Sequence, residues 1–107
     1  MARQNRRVPL DMYCNKMVNG VPFLARTKDI SREGLYLHRL IEPSYPGSAH
    51  IAVEFCLPGT SEVIWAEAEL VHGAHEGQGL RFRHLTPRQS NLVAEFVRDS
   101  SAASAFG

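Results

Sequence analysis

The chain has 107 residues, 44% of them hydrophobic and 21% charged, with a formal net charge of +1 at pH 7. That length fits one domain with one core and leaves no material for a second, large buried cleft. The near balance of charge excludes a general nucleic-acid binder that tracks phosphates over its whole surface.

Residues 1–7 carry Arg3, Arg6 and Arg7 and no acid, and are expected as a flexible basic arm. From Val8 the pattern has a period of two. Val8, Leu10, Met12 and Cys14 share one face, and Asp11 and Tyr13 the other, which predicts a strand to about Val18. Pro9 fits only at the start or edge of such a strand. Asn19-Gly20 is a strong hairpin signal, and Val21–Ile30 returns as a second strand. The stretch Asp29-Ile30-Ser31-Arg32-Glu33-Gly34 turns the chain into a third strand, 35–40. A loop over 41–47 with Pro43 and Pro46 leads to a fourth strand, 50–57.

Pro58-Gly59-Thr60 is a turn before a fifth strand, 62–71. In it Ile64, Ala66, Ala68 and Leu70 face inward, and Trp65, Glu67 and Glu69 outward. A hairpin connection over 72–77 follows, with Gly77-Gln78-Gly79 read as a turn, and then a sixth strand, 79–83. At Thr86-Pro87-Arg88-Gln89 the period changes. Thr86 is an N-cap, Pro87 suits the first helical position, and Gln89 can close a capping box. Leu92, Val93, Phe96 and Val97 form one apolar packing stripe. Residues 99–107 are small and polar and are expected as a disordered tail. The expectation is an all-β fold over residues 8–98: a six-stranded antiparallel β-barrel with a C-terminal α-helix.

Cys14 and Cys56 sit far apart in alternating segments and are expected as free thiols. No apolar run approaches the roughly 18 residues of a membrane span, and the basic N-terminus lacks the apolar stretch of a secretory signal. A soluble, cytoplasmic protein is the expectation.

Two stretches carry candidate chemistry. Arg3 and Arg7 can pair bidentately with phosphate or with the O6/N7 edge of guanine, or they can be a solvated basic terminus. Asp29 and Ser31 can hydrogen-bond a purine edge, or they can close a turn of their own backbone. Gly34 supplies either a positive φ or room for a close backbone approach.

Taken together these stretches form R-x-x-x-R at Arg3 and Arg7, followed directly by Val8-Pro9-Leu10, and D-x-S-x-x-G at Asp29, Ser31 and Gly34. With the Gly79-Leu80-Arg81-Phe82 strand and the helix after Thr86-Pro87, the chain resembles the PilZ domain family over roughly residues 3–98. The resemblance implies a six-stranded barrel whose arginine arm clamps cyclic di-GMP against the D-x-S-x-x-G face. It places Arg3 and Arg7 on guanine edges and phosphates, Asp29 and Ser31 on a guanine edge, and Gly34 at the close turn. Arg6, beside the motif, adds a phosphate contact that the family pattern does not require. It also implies a binding domain rather than an enzyme, with no cofactor, and an unidentified protein effector as partner. Neither DNA, RNA nor membrane insertion is expected, and monomer and dimer both stay open.

A PilZ-fold adaptor that works without the nucleotide is the alternative. A small barrel that binds single-stranded nucleic acid is a third reading, which the balanced charge and single Trp disfavour. His72, His75 and Glu76 lack a third ligand at a recognisable spacing and are read as loop rather than metal site. Ser31, Ser48 and Ser90 have no nucleophile motif around them.

Overall fold

The computed structural model describes residues 6–38, 40, 48–73 and 77–106. Arg3, the loop over 41–47, and His75 and Glu76 lie outside the described residues. The elements are β1 (Val8–Pro9), β2 (Tyr13–Val18), β3 (Val21–Ile30), β4 (Gly34–His38), β5 (Ile51–Cys56), β6 (Val63–Gly73), β7 (Gly77–His84) and α1 (Pro87–Phe106). The strands pair in the order β1-β3-β2-β5-β6-β7-β4, and a further β3–β4 pairing closes the ring. Every pairing is antiparallel. Because β1 and β2 lie on the same edge of β3, the closed wall is six strands around, as expected from the sequence. Closure removes the exposed strand edges that an open sheet of this size would present.

The expected single strand from Val8 to Val18 is broken at residues 10–12. Thr27, fully buried, bridges the break. Its hydroxyl donates to the Leu10 carbonyl (2.5 Å) and accepts from the Met12 amide (3.0 Å). Main-chain bonds continue on either side, from the Leu10 amide to Lys28 O (3.1 Å) and from the Thr27 amide to Met12 O (2.8 Å). A side-chain oxygen thus takes over part of the ladder where the strand kinks. The β3–β4 register also shifts between Thr27 and Asp29, leaving Lys28 as the extra residue of a bulge.

The third strand begins at Gly34 and ends at His38 rather than spanning 35–40. Gly77-Gln78-Gly79 is not a turn but the opening of β7. The Tyr36 ring crowds Gly77, where a Cβ would fall 2.3 Å from Tyr36 Cε1. Gly77 therefore serves packing between strands, which spacing alone does not reveal.

The inward faces of the strands build the core, with Ile30, Leu35, Leu37, Val53 and Ile64 fully buried or nearly so. Phe55 and Phe82 stack beside it with ring centroids 6.1 Å apart. Among the described residues one charge joins this interior. Lys16 shares the inward parity of Cys14 and Val18, is 2% exposed, and donates to Gln78 Oε1 at 2.6 Å. Burial pushes the neighbouring Cys14 thiol up to about 11, with the Lys16 charge opposing the shift. Both cysteines are free.

The predicted capping box is formed. The Gln89 amide donates to Thr86 Oγ1 (3.2 Å), and the Thr86 amide donates to Gln89 Oε1 (3.0 Å). Val93 and Val97 dock into the core, and Arg88 pairs with Glu62 beside β6. The helix continues to Phe106, past the point where the sequence predicts a disordered tail. Ala102, Ala103 and Ala105 explain the extension: alanine has the highest helix propensity and needs no apolar stripe to keep the backbone helical.

Candidate functional site

The turn after β3 is built around Ser31, which is 1% exposed. Its amide donates to the Gly34 carbonyl (2.9 Å). Its hydroxyl oxygen accepts from the amides of Glu33 (3.1 Å) and Gly34 (3.2 Å). The Glu33 carbonyl in turn accepts from the Phe82 amide of β7 (2.8 Å), which ties the turn to the barrel wall. Gly34 does not have a positive φ. A Cβ there would lie 2.0 Å from the Leu80 carbonyl oxygen and 3.1 Å from Arg81 Cα. Of the two reasons for a glycine at this position, the close backbone approach is the one that holds.

Asp29 sits one turn of the pleat earlier on β3, opposite Pro9 and Tyr36. Val8 pairs with Ile30, so Arg7 enters the wall beside the same turn. Its Nε donates to Asp29 Oδ1 at 2.6 Å and its Nη1 reaches Ser31 Oγ at 3.5 Å. The Arg7 side chain is 41% exposed and that of Asp29 25%. An ion pair so open to water contributes about 0–1 kcal/mol, so a ligand offering each partner a comparable bond can displace it.

Arg7, Asp29, Ser31 and Gly34 are thus brought together, with Arg6 next in chain and exposed. A cleft of about 380 Å³ opens beside them, lined also by Glu33, Tyr36, Val71, Gly79 and Arg81. Three of these residues went unrecognised in the sequence. Tyr36 lies in the strand after the turn and Arg81 in the Gly79–Phe82 stretch of the resemblance, and nothing there marks either as a site residue. Their place beside the turn comes from the pairings Gly34↔Arg81 and Tyr36↔Gly79. Val71 is half exposed where the β6–β7 register shifts between Leu70 and His72. Lys28 Nζ lies 5.4 Å from the centre of the Tyr36 ring, within cation–π range. Arg81 donates through Nε (2.8 Å) and Nη2 to Glu69 Oε1. That contact holds the Glu69 carboxyl below the usual carboxylate range.

Among the described residues no group of three His, Cys, Asp or Glu is placed to hold a metal ion. No described helix is long and apolar enough to cross a membrane.

The PilZ domain family model matches residues 2–99, and the chain belongs to that family. PilZ domains are generally receptors for cyclic di-GMP and act as receptor or adaptor domains, not as enzymes. Among solved structures, the chain is similar to the Bacillus subtilis inhibitor of motility MotI/DgrA, with a TM-score of 0.80 and 12% identity over 96% of this chain. It covers 53% of that protein, about half its length. It is also similar to the PilZ domain of CeSA from a cellulose-synthesizing bacterium, with a TM-score of 0.66 and 14% identity, covering 88% of this chain and 96% of that one. At these identities the likeness is one of fold. No curated protein matches the chain.

Proposed function

We propose that this domain binds cyclic di-GMP between the arginine arm and the Asp29–Gly34 turn and passes that state to a protein partner. One observation carries the reading: Arg7 reaches Asp29 and Ser31 from 22 and 24 residues away in sequence, at the edge of one cleft. Asp29 is the acceptor that the N1 and N2 hydrogens of a guanine require. Arg7 is the donor that a guanine O6/N7 edge or a phosphate requires. With no ligand these complementary groups satisfy each other. Binding exchanges that internal pair for two ligand contacts and repositions the arm. Arg6, and Arg3 further up the arm, supply additional positive charge for the two phosphates. The repositioned arm and the wall beneath it form the surface that a partner reads. In this reading the domain works in the cytoplasm.

Calorimetric titration with cyclic di-GMP tests the proposal. The parent chain binds, and Arg7→Ala and Asp29→Ala each weaken binding by about tenfold or more, the scale of a lost charge-assisted hydrogen bond. A parent that does not bind sinks the receptor reading and leaves a nucleotide-independent adaptor. Binding of single-stranded oligonucleotides without cyclic di-GMP favours the nucleic-acid reading instead. Hydrogen exchange gives a second test: residues 1–10 gain protection at saturating ligand if the arm is ordered by it.

A further inference from the structure

Arg81 lies in the same cleft and belongs to neither motif. It stands on β7, across β4 from the β3 residue that holds Arg7. Gly34 and Gly79 also line the cleft, and neither adds a side chain to it. Tyr36 and Val71 border it and offer ring and aliphatic surface to the face of a base. The geometry points to Arg81 as a specificity residue that reads the O6/N7 edge of the second guanine of the cyclic dinucleotide. This inference rests on the receptor reading above.

The alternative for an exposed arginine is a phosphate, and Glu69 argues against it. Two guanidinium N–H groups of Arg81 point at the single oxygen Glu69 Oε1, so a full negative charge sits against the cation. A phosphate brought to Arg81 would meet that carboxylate as well. A neutral base edge would not suffer this repulsion. Arginine carries five N–H donors, so three remain after Glu69 is satisfied. Guanine presents two adjacent acceptors on its O6/N7 edge. Adenine presents an acceptor and a donor there, which an all-donor group cannot match.

The test is calorimetry on the full chain with cyclic di-GMP and with its 7-deazaguanine analogue, which lacks N7. The parent, Arg81→Ala, Arg81→Lys and Arg7→Ala are compared, each checked for an unchanged melting temperature. Arg81→Ala is expected to weaken cyclic di-GMP binding about tenfold and to narrow the preference for cyclic di-GMP over the analogue. Arg81→Lys restores neither, because an ammonium cannot make the paired contact. Wild-type affinity in Arg81→Ala, an undiminished preference for N7, or full rescue by lysine would each overturn the assignment. Loss of binding in Arg7→Ala alone overturns the role of Arg81 and leaves the receptor reading standing. No binding by the parent overturns both.

Discussion

The β2–β3 hairpin and the β3–β4 turn each contain a glycine, and they need it for different reasons. In the β2–β3 hairpin Asn19 and Gly20 both have positive φ, 51° and 83°, and a Cβ on Gly20 would meet nothing within 4 Å. This is a conformational glycine: its freedom lets a two-residue turn match the twist of the flanking strands. In the β3–β4 turn Gly34 has an ordinary φ, but the Leu80 carbonyl occupies the space of its side chain. This is a packing glycine. It lets β7 close against the turn, and that closure sets Arg81 opposite Gly34 and at the same cleft as Ser31. Gly34 lines the cleft, and Asn19 and Gly20 do not.

The largest expected effect is therefore that of Gly34→Ala. Its Cβ cannot avoid backbone atoms, so β4 and β7 must separate locally. A loss of about 3 kcal/mol in chemical denaturation is expected, the upper range for overpacking, together with loss of cyclic di-GMP binding. Stability equal to the parent would show that the closure is soft. Ser31→Ala comes next. It leaves the Glu33 and Gly34 amides without their hydroxyl acceptor, at a cost of about 1–3 kcal/mol, and it weakens ligand binding because the turn loosens. Gly20→Ala is expected to cost only about 1–2 kcal/mol, from the left-handed backbone alone, with ligand affinity unchanged. An altered affinity in that variant would erase the distinction between the two turns.

The smallest effect concerns pH. Arg81 lowers the Glu69 carboxyl from its ordinary 4.5, chiefly through their hydrogen bond. A lowered folded-state value means that the pair's contribution is present above 4.5 and fades only as pH falls through the lower, folded value. Asp11 with Arg26 and Glu62 with Arg88 shift in the same direction. All are exposed, so the stability change is small. Carboxyl NMR titration should show Glu69 titrating below 4.5, and returning toward it in Arg81→Ala.

Lys16 marks one limit of sequence reading. Its parity with Cys14 and Val18 places it inside the barrel, yet a lysine is ordinarily assigned to water. The approach of Gln78, 62 residues away, gives its ammonium a buried acceptor that no local pattern foretells. Thr27 marks another. Nothing in Arg26-Thr27-Lys28 announces that its hydroxyl will stand in for the ladder of a strand 15 residues earlier.

The β3–β4 turn was legible in the sequence as an Asp, a Ser and a Gly ahead of an alternating strand. The strand periods, the Asn19-Gly20 hairpin and the Thr86–Gln89 cap were legible too. All of these depend on neighbours a few residues apart, and local residue chemistry determines them. What the sequence left open was decided by strand register, which depends on how distant segments meet when the wall closes. The choice between a positive φ and a close approach at Gly34 is one such decision, and the meeting of Arg7 with Asp29 is another. The place of Arg81 at the edge of the cleft is a third. The turn borders a cleft because β1 and β7 arrive beside it, and only the closed barrel brings them there.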